Sequence, residues 1–273
     1  MTDIANHANL IWSIAELLRG DYKQSEYGRV VQPLVVMRRL DQMMEEDRDA
    51  IVAEAKRRRA QGIDGDALGQ VLEAKFRRSF FNTSPLRLHQ LLDDPPHLRD
   101  NLVRYLDGYS RLAKAALENF AFEAQLDRLE SAQLLYPVLS RICDVDLRHE
   151  RVSNLEMGYL FEELIRRFAE QSNETAGEHF TPRDVVRLMV ELLMAGDDDA
   201  LGGRGVLRDV YDCACGTGGM LSEAEAHVRA LNPRADVRLY GQELNPESYA
   251  ICLSDMLVKG SDAGAIALGK AVG

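Results

Sequence analysis

Residues 211–224 read YDCACGTGGMLSEA. Gly216, Gly218 and Gly219 follow the short apolar run 206–211 and precede a segment with helical spacing. Glycine admits positive φ and lets another group come close to the backbone. The helix that follows presents N–H groups with no intrahelical partner. Strand, glycine turn and helix form the first half of a βαβ unit, and in doubly wound sheets ligands collect beyond the carboxyl ends of the strands. Taken alone, such a turn is equally consistent with a tight connection.

Downstream, 237–242 reads as a second strand, 246–258 as a second helix and 265–268 as the start of a third strand. With 206–211 as a strand and 218–230 as a helix, this alternation predicts a parallel sheet with helical crossovers. The second strand ends in LYGQELN, which puts Glu243 just past its tip. An acid there is placed to accept the hydroxyls of a ribose. Upstream, GEHFTPRDVVRLMV reads as a helix start, with Thr181 as N-cap, Pro182 in the first turn and Asp184 three residues after the cap. Glu178 and Phe180 are not needed for that cap.

The first 150 or so residues read as helices with no clear strand. Leu10, Ile14, Leu17 and Leu18 repeat with helical spacing, as do Val30, Val31, Leu34 and Val35 and later Leu155, Tyr159, Leu160, Leu164 and Phe168. Ser84-Pro85 reads as a helix start, and Pro137 as a break or kink. SNETAG (172–177) and AGDDDALGGRG (195–205) read as loops. The expected division is a helical domain, 1–171, and a partial α/β domain, 172–273.

The 273 residues are 46% hydrophobic and 28% charged, a balance that can fill a core. No apolar stretch approaches the roughly 20 residues needed to span a bilayer, and the first dozen residues lack the pattern of a signal peptide. Four cysteines make no disulfide framework, so a reduced, cytoplasmic protein is expected. The net charge of −11 argues against unaided binding to DNA, whose phosphates demand neutralisation. If the substrate is nucleic acid, another subunit or a local basic patch must help; the run Lys56-Arg57-Arg58-Arg59 is one candidate, though a solvated helix face explains it better. Cys213 and Cys215 stand too close together, with no second ligand pair nearby, to indicate a metal site.

Together GEHFTPRDV, DCACGTGG and GQELN, in this order and spacing, resemble the methyltransferase (modification) subunit of type I restriction-modification systems. The N-terminal IAELLRGDYKQSEYGRVVQPLVVMRRLD is similar to that family's helical domain, so the resemblance covers essentially the whole chain. It implies an all-helical N-terminal domain followed by the start of a Rossmann-like S-adenosylmethionine-dependent methyltransferase domain. The implied cofactor is S-adenosyl-L-methionine. Glu178, His179, Phe180, Thr181, Pro182 and Arg183 would fall near its methionine end. Asp212, Ala214, Cys215, Gly216, Thr217, Gly218 and Gly219 would form the binding turn, and Glu243 would hold the ribose. The implied reaction is methyl transfer to adenine N6 in DNA, beside a specificity subunit and a restriction subunit. One departure is Cys213, where the family usually has proline.

The family's catalytic Asn/Asp-Pro-Pro-aromatic tetrad, which engages the flipped base, does not occur in 1–273. Asp94-Pro95-Pro96-His97 comes within one residue of it, but no strand precedes it and His97 replaces the aromatic, so it reads as a proline turn between helices. The sequence is therefore expected to be the N-terminal part of a longer polypeptide, with no catalytic residues and no activity of its own. Its partial sheet is expected to leave an edge and an apolar face open, giving self-association or disorder near the C-terminus. Other readings are a helical docking module without catalysis and a methyltransferase acting on protein or a small molecule. A nicotinamide-dependent dehydrogenase is disfavoured, because CACGTGG lacks G-x-G-x-x-G spacing.

Overall fold

A computed structural model describes residues 2–172, 181–197, 201–203 and 205–269. The chain forms two compact units, Met1–Glu174 and Thr175–Gly273.

The first unit contains the helices α1 (Thr2–Leu17), α2 (Tyr27–Met43), α3 (Arg48–Ala60), α4 (Gly65–Phe76), α5 (Leu98–Asp107), α6 (Arg111–Asn119), α7 (Phe122–Ser131), α8 (Leu135–Cys143) and α9 (Asn154–Ser172). Its centre is α2, packed against α1, α6, α7, α8 and α9. Val30, Val31, Leu34, Val35, Val36, Met37 and Leu40 are all buried, because a helix apolar on most of its sides has no face for water. Each such side chain is worth about 1.5–3 kcal/mol of burial. A satellite core of Ile51, Ala55, Leu68, Leu72 and Phe81 joins α3 and α4.

Two arginines of α2 fasten the segment that leads into α9. Arg38 donates to the carbonyls of Cys143 (2.7 Å) and Val145 (2.9 Å). Arg39, fully buried, donates to the carbonyls of Leu147 and Val152 and to Asn154 Oδ1 (2.7 Å). Burial pushes its guanidinium down to about 10. Asp41 accepts from Arg48 Nη1 (2.8 Å) and from the buried Tyr105 hydroxyl (2.6 Å), so this buried charge is paired.

Two features of this unit depart from the sequence reading, and a third adds to it. Ser84-Pro85 does not start an α-helix; Leu88–Asp93 and Pro95–His97 are 3-10 turns instead. The segment is tied down elsewhere: the Ser84 amide donates to Asn82 Oδ1 (2.8 Å), and Gly108 lies so close that a Cβ would sit 2.7 Å from the Ser84 nitrogen. Pro137 neither breaks nor ends α8, because it falls in the first turn, where its missing N–H costs nothing. The run at Lys56 is a largely solvated face, as read, with Lys56, Arg57 and Arg59 exposed, and it also grips one acid. Arg57 (2.6 Å), Arg58 (2.7 Å) and Lys75 (2.8 Å) converge on Glu54, whose side chain is only 5% exposed.

The second unit begins with α10 (Arg183–Met194) and continues through β1 (Leu207–Asp212), α11 (Gly219–Leu231), β2 (Asp236–Glu243), α12 (Pro246–Lys259) and β3 (Ile266–Leu268). The three strands form a parallel sheet in the order β1-β2-β3, as the alternation predicted. Val210 pairs with Leu239, Asp212 with Gly241, and Gly241 with Ile266. Sequential order with right-handed crossovers puts α11 and α12 on one face. Val210 and Val237 pack there with Val190, Met194, Ala224 and Val228. On the other face, Leu207, Tyr211 and Tyr240 are exposed. α10 starts one residue later than expected: Pro182 is the cap residue, its carbonyl accepting from Val185 and Val186, and Thr181 makes no side-chain cap. A proline with extended ψ (137°) itself sets the entry direction of the helix. α12 and β3 are formed through Leu268, and 270–273 lie outside the described residues. Among the described residues, no helix is long and apolar enough to cross a membrane.

Candidate functional site

The glycine turn lies between the end of β1 and the start of α11, beside the tip of β2. Asp212 starts it: Oδ1 accepts from the Ala214 amide (3.0 Å), bending the chain as the strand ends. The Cys215 amide donates to the Gln242 carbonyl (2.9 Å), extending contact with β2 past the last strand pair. The Gly218 amide donates to the Cys215 carbonyl (2.8 Å). Gly216 (φ 55°) and Gly218 (φ 88°) both occupy the left-handed region.

Their surroundings differ. A Cβ on Gly216 would meet nothing within 4 Å, so the space above that backbone is open. A Cβ on Gly218 would lie 2.9 Å from Cys252 Sγ, so that glycine is required by conformation and by the approach of α12. Gly241 is required by packing alone, with Cys215 Sγ 2.9 Å and Ile266 Cδ1 3.0 Å from where a Cβ would stand.

Glu243 closes the arrangement. Its Oε2 accepts from the Gly216 amide (2.8 Å), and its Oε1 accepts from the amides of Leu244 (2.8 Å) and Asn245 (2.6 Å). One carboxylate thus ties the glycine turn to the approach to α12. Asn245 caps that helix, accepting from Glu247 (2.8 Å) and Ser248 (3.1 Å), with Pro246 in the first turn.

The structure therefore gathers Asp212, Ala214, Cys215, Gly216, Thr217, Gly218, Gly219 and Glu243 at the carboxyl end of the sheet. Thr181, Pro182 and Arg183 stand at the start of α10, and Glu178, His179 and Phe180 lie outside the described residues. Cys213 is exposed and Cys215 buried, with the Cys215 and Cys252 sulfurs 4.0 Å apart. The Cys215 contact and burial push the Cys252 thiol well above its usual value, so the Cys252 sulfur acts as a packing group. Asp94, near the proline pair in the first unit, accepts from His97 Nδ1 (2.9 Å) and Asn101 (3.1 Å) on an exposed turn. Sequence reasoning missed Gly241 and Cys252, which shape the turn from below. Only Gly241, an unexplained glycine inside a strand, left a signal.

A helical unit followed by a parallel βαβαβ sheet with this turn at its carboxyl end defines the class: a helical domain joined to a methyltransferase-type α/β fold. The type I restriction-modification system methyltransferase subunit from Streptococcus thermophilus shares that fold. It superposes with a TM-score of 0.65 over 98% of this chain and 59% of its own, at 18% identity. Residues 7–142 match the HsdM N-terminal domain, and residues 153–271 match the N-6 DNA Methylase family. The chain belongs to the family of type I restriction-modification methylase subunits. The HindI methylase subunit of Haemophilus influenzae is 33% identical over 107 residues, 39% of this chain and 22% of that protein. The MjaIX methylase subunit of Methanocaldococcus jannaschii is 21% identical over 267 residues, 93% of this chain and 45% of that protein. The chain thus spans less than half the length of these curated relatives.

Proposed function

We propose that this chain is the cofactor-binding part of a DNA N6-adenine methyltransferase subunit. It holds S-adenosyl-L-methionine at the turn 212–219 and Glu243, with 178–183 near the methionine end, and works with a specificity subunit and a restriction subunit. The division 1–171 and 172–273 separates assembly from cofactor binding. The observation that carries the reading is the bond from the Gly216 amide to Glu243, which sets the turn and the acid side by side. The residues suit an adenosyl group. An ionised carboxylate offers about four acceptor positions; three are used by amides, leaving capacity for a sugar hydroxyl. Open space above Gly216 admits a ligand to the backbone, and the exposed Leu244 gives a base an apolar surface. When bound, the cofactor supplies the methyl group; these residues bind and orient it.

Calorimetric titration tests the reading. S-adenosylmethionine should bind saturably and NAD should not, and Glu243→Ala should weaken binding at least about tenfold, roughly 1.4 kcal/mol. Absence of S-adenosylmethionine binding, or a preference for NAD, overturns it. Without an Asn/Asp-Pro-Pro-aromatic tetrad in 1–273 the chain alone should not methylate DNA, and methyl transfer by the purified chain would refute that.

A further inference from the structure

Arg38, Asp41, Gln42 and Glu45 follow i, i+3, i+4, i+7 spacing and so share one face of α2. That face, the start of α3 and the 87–89 and 143–148 segments line a cavity of about 350 Å³ in the helical unit. Positive charge is in excess there. Asp41 faces two guanidinium groups, Arg48 at 2.8 Å and Arg38 at 3.8 Å, and the arginine side chains are only 2% and 13% exposed. Arg38 also donates to the carbonyls of Cys143 and Val145, which cancel no charge. One carboxylate therefore serves two enclosed cations, and an enclosed cation without a counter-ion is costly. Arg48 uses Nη1 on Asp41 and Nη2 on the Leu86 carbonyl, but its Nε has no hydrogen-bond partner among the described residues. A water molecule satisfies such an Nε but leaves the charge unbalanced. Arg87 adds a third guanidinium to the wall, held by Asp49, whose side chain is 88% exposed, in a pair worth little. Arg148, by contrast, is neutralised by Asp146 at 2.7 Å.

We propose that this cavity binds a small phosphorylated molecule, its phosphoryl group against Arg38, Arg48 and Arg87. A phosphoryl group carries about −1.5 to −2 charges at pH 7. That matches the unbalanced charge of the Arg38–Arg48 pair together with the loosely held Arg87, whereas a single carboxylate supplies half as much. Guanidinium forks also fit phosphate oxygens two at a time. The volume falls in the range of small-molecule sites, roughly 300–1,000 Å³, so there is room for the rest of the molecule beside its phosphoryl group. Glu45 and His89, both exposed, stand where they can accept hydrogen bonds from sugar hydroxyls. The net charge of −11 disfavours duplex DNA as the source of the phosphate. The site belongs wholly to the helical unit and uses no residue of the glycine turn, so it stands independently of the cofactor reading.

Calorimetric titration of the purified chain with inorganic phosphate, ribose 5-phosphate, acetate and a short DNA duplex tests the proposal. Phosphate should bind at one site, ribose 5-phosphate more tightly, and acetate more weakly than either. Arg87→Gln removes a wall donor that is not part of the core, so the fold should persist by circular dichroism while ribose 5-phosphate binding weakens at least about tenfold. Glu45→Gln removes a nearby negative charge and should tighten inorganic phosphate about twofold or more, a gain that a purely structural role would not produce. Arg99→Gln, which removes the Asp127 pair elsewhere in the unit, should change neither. No phosphate binding up to about 10 mM, binding indifferent to Arg87→Gln, or displacement of ribose 5-phosphate by the duplex would each overturn the proposal.

Discussion

The Gly216 amide and the Glu243 carboxylate meet at 2.8 Å, although 27 residues separate them in sequence. The same carboxylate receives the amides of Leu244 and Asn245, so the glycine turn and the entry to α12 share one acceptor. Glu243→Ala should cost about 1–3 kcal/mol of stability, the penalty for leaving amides without their acceptor. Glu243→Gln, which retains one oxygen, should cost less. Urea unfolding of both variants measures the difference, and equal losses would show that the second oxygen contributes nothing.

Gly216 and Gly218 should respond differently to the same change. Gly216→Ala meets only left-handed backbone strain, about 1–2 kcal/mol. Gly218→Ala adds a collision with Cys252 Sγ, a further cost of about 1–3 kcal/mol for overpacking. Cys252→Ala in the Gly218→Ala background should recover part of that second cost. A double-mutant cycle reads the coupling, and additive losses would mean that the thiol does not set the constraint.

Acid should act on the helical unit through Glu54. Hydrogen bonds from Arg57, Lys75 and Arg58 hold its carboxyl far below the usual 4.5. A depressed carboxylate stabilises the fold above its unfolded value, and that stability is lost as pH falls toward the folded value. The urea midpoint should therefore hold between pH 7 and about 5 and decline below about 4.5. Glu54→Gln should flatten the decline, and an unchanged slope would exclude Glu54 as its source. Asp146, held down to about 2 mainly by Arg148, adds to the loss over the same range.

Arg39→Met keeps an unbranched apolar stem but removes the donors that satisfy the Leu147 and Val152 carbonyls and Asn154. Leaving these acceptors unpaired should cost about 3 kcal/mol or more, visible as a lower thermal midpoint. A loss under about 1 kcal/mol would mean that water replaces the guanidinium.

How much of this was legible depended on whether the signal was local. The strands were read to within a residue or two, because 206–211 and 237–242 sit between strong turn signals. Glu243 was placed at a strand tip by counting alone. The reading failed where distant groups decide. Ser84-Pro85 has the local chemistry of a helix start, but Asn82 and Gly108 hold the segment otherwise. The cationic run 56–59 is largely exposed, as its composition suggests, but nothing local announces that Glu54 is nearly enclosed or that Lys75 returns to it from α4. The contact of Cys215 with Cys252 spans 37 residues and leaves no periodic trace.

The grip of α2 on the 143–154 segment has a consequence for synthesis. Arg38 and Arg39 bond to partners 105 to 115 residues further along the chain. A nascent chain therefore presents α2 long before the carbonyls and Asn154 that take these hydrogen bonds exist, and Arg39 must stay hydrated until the partner segment clears the ribosome. A ribosome-bound chain halted before that segment emerges should therefore be more open to protease around α2 than the released chain.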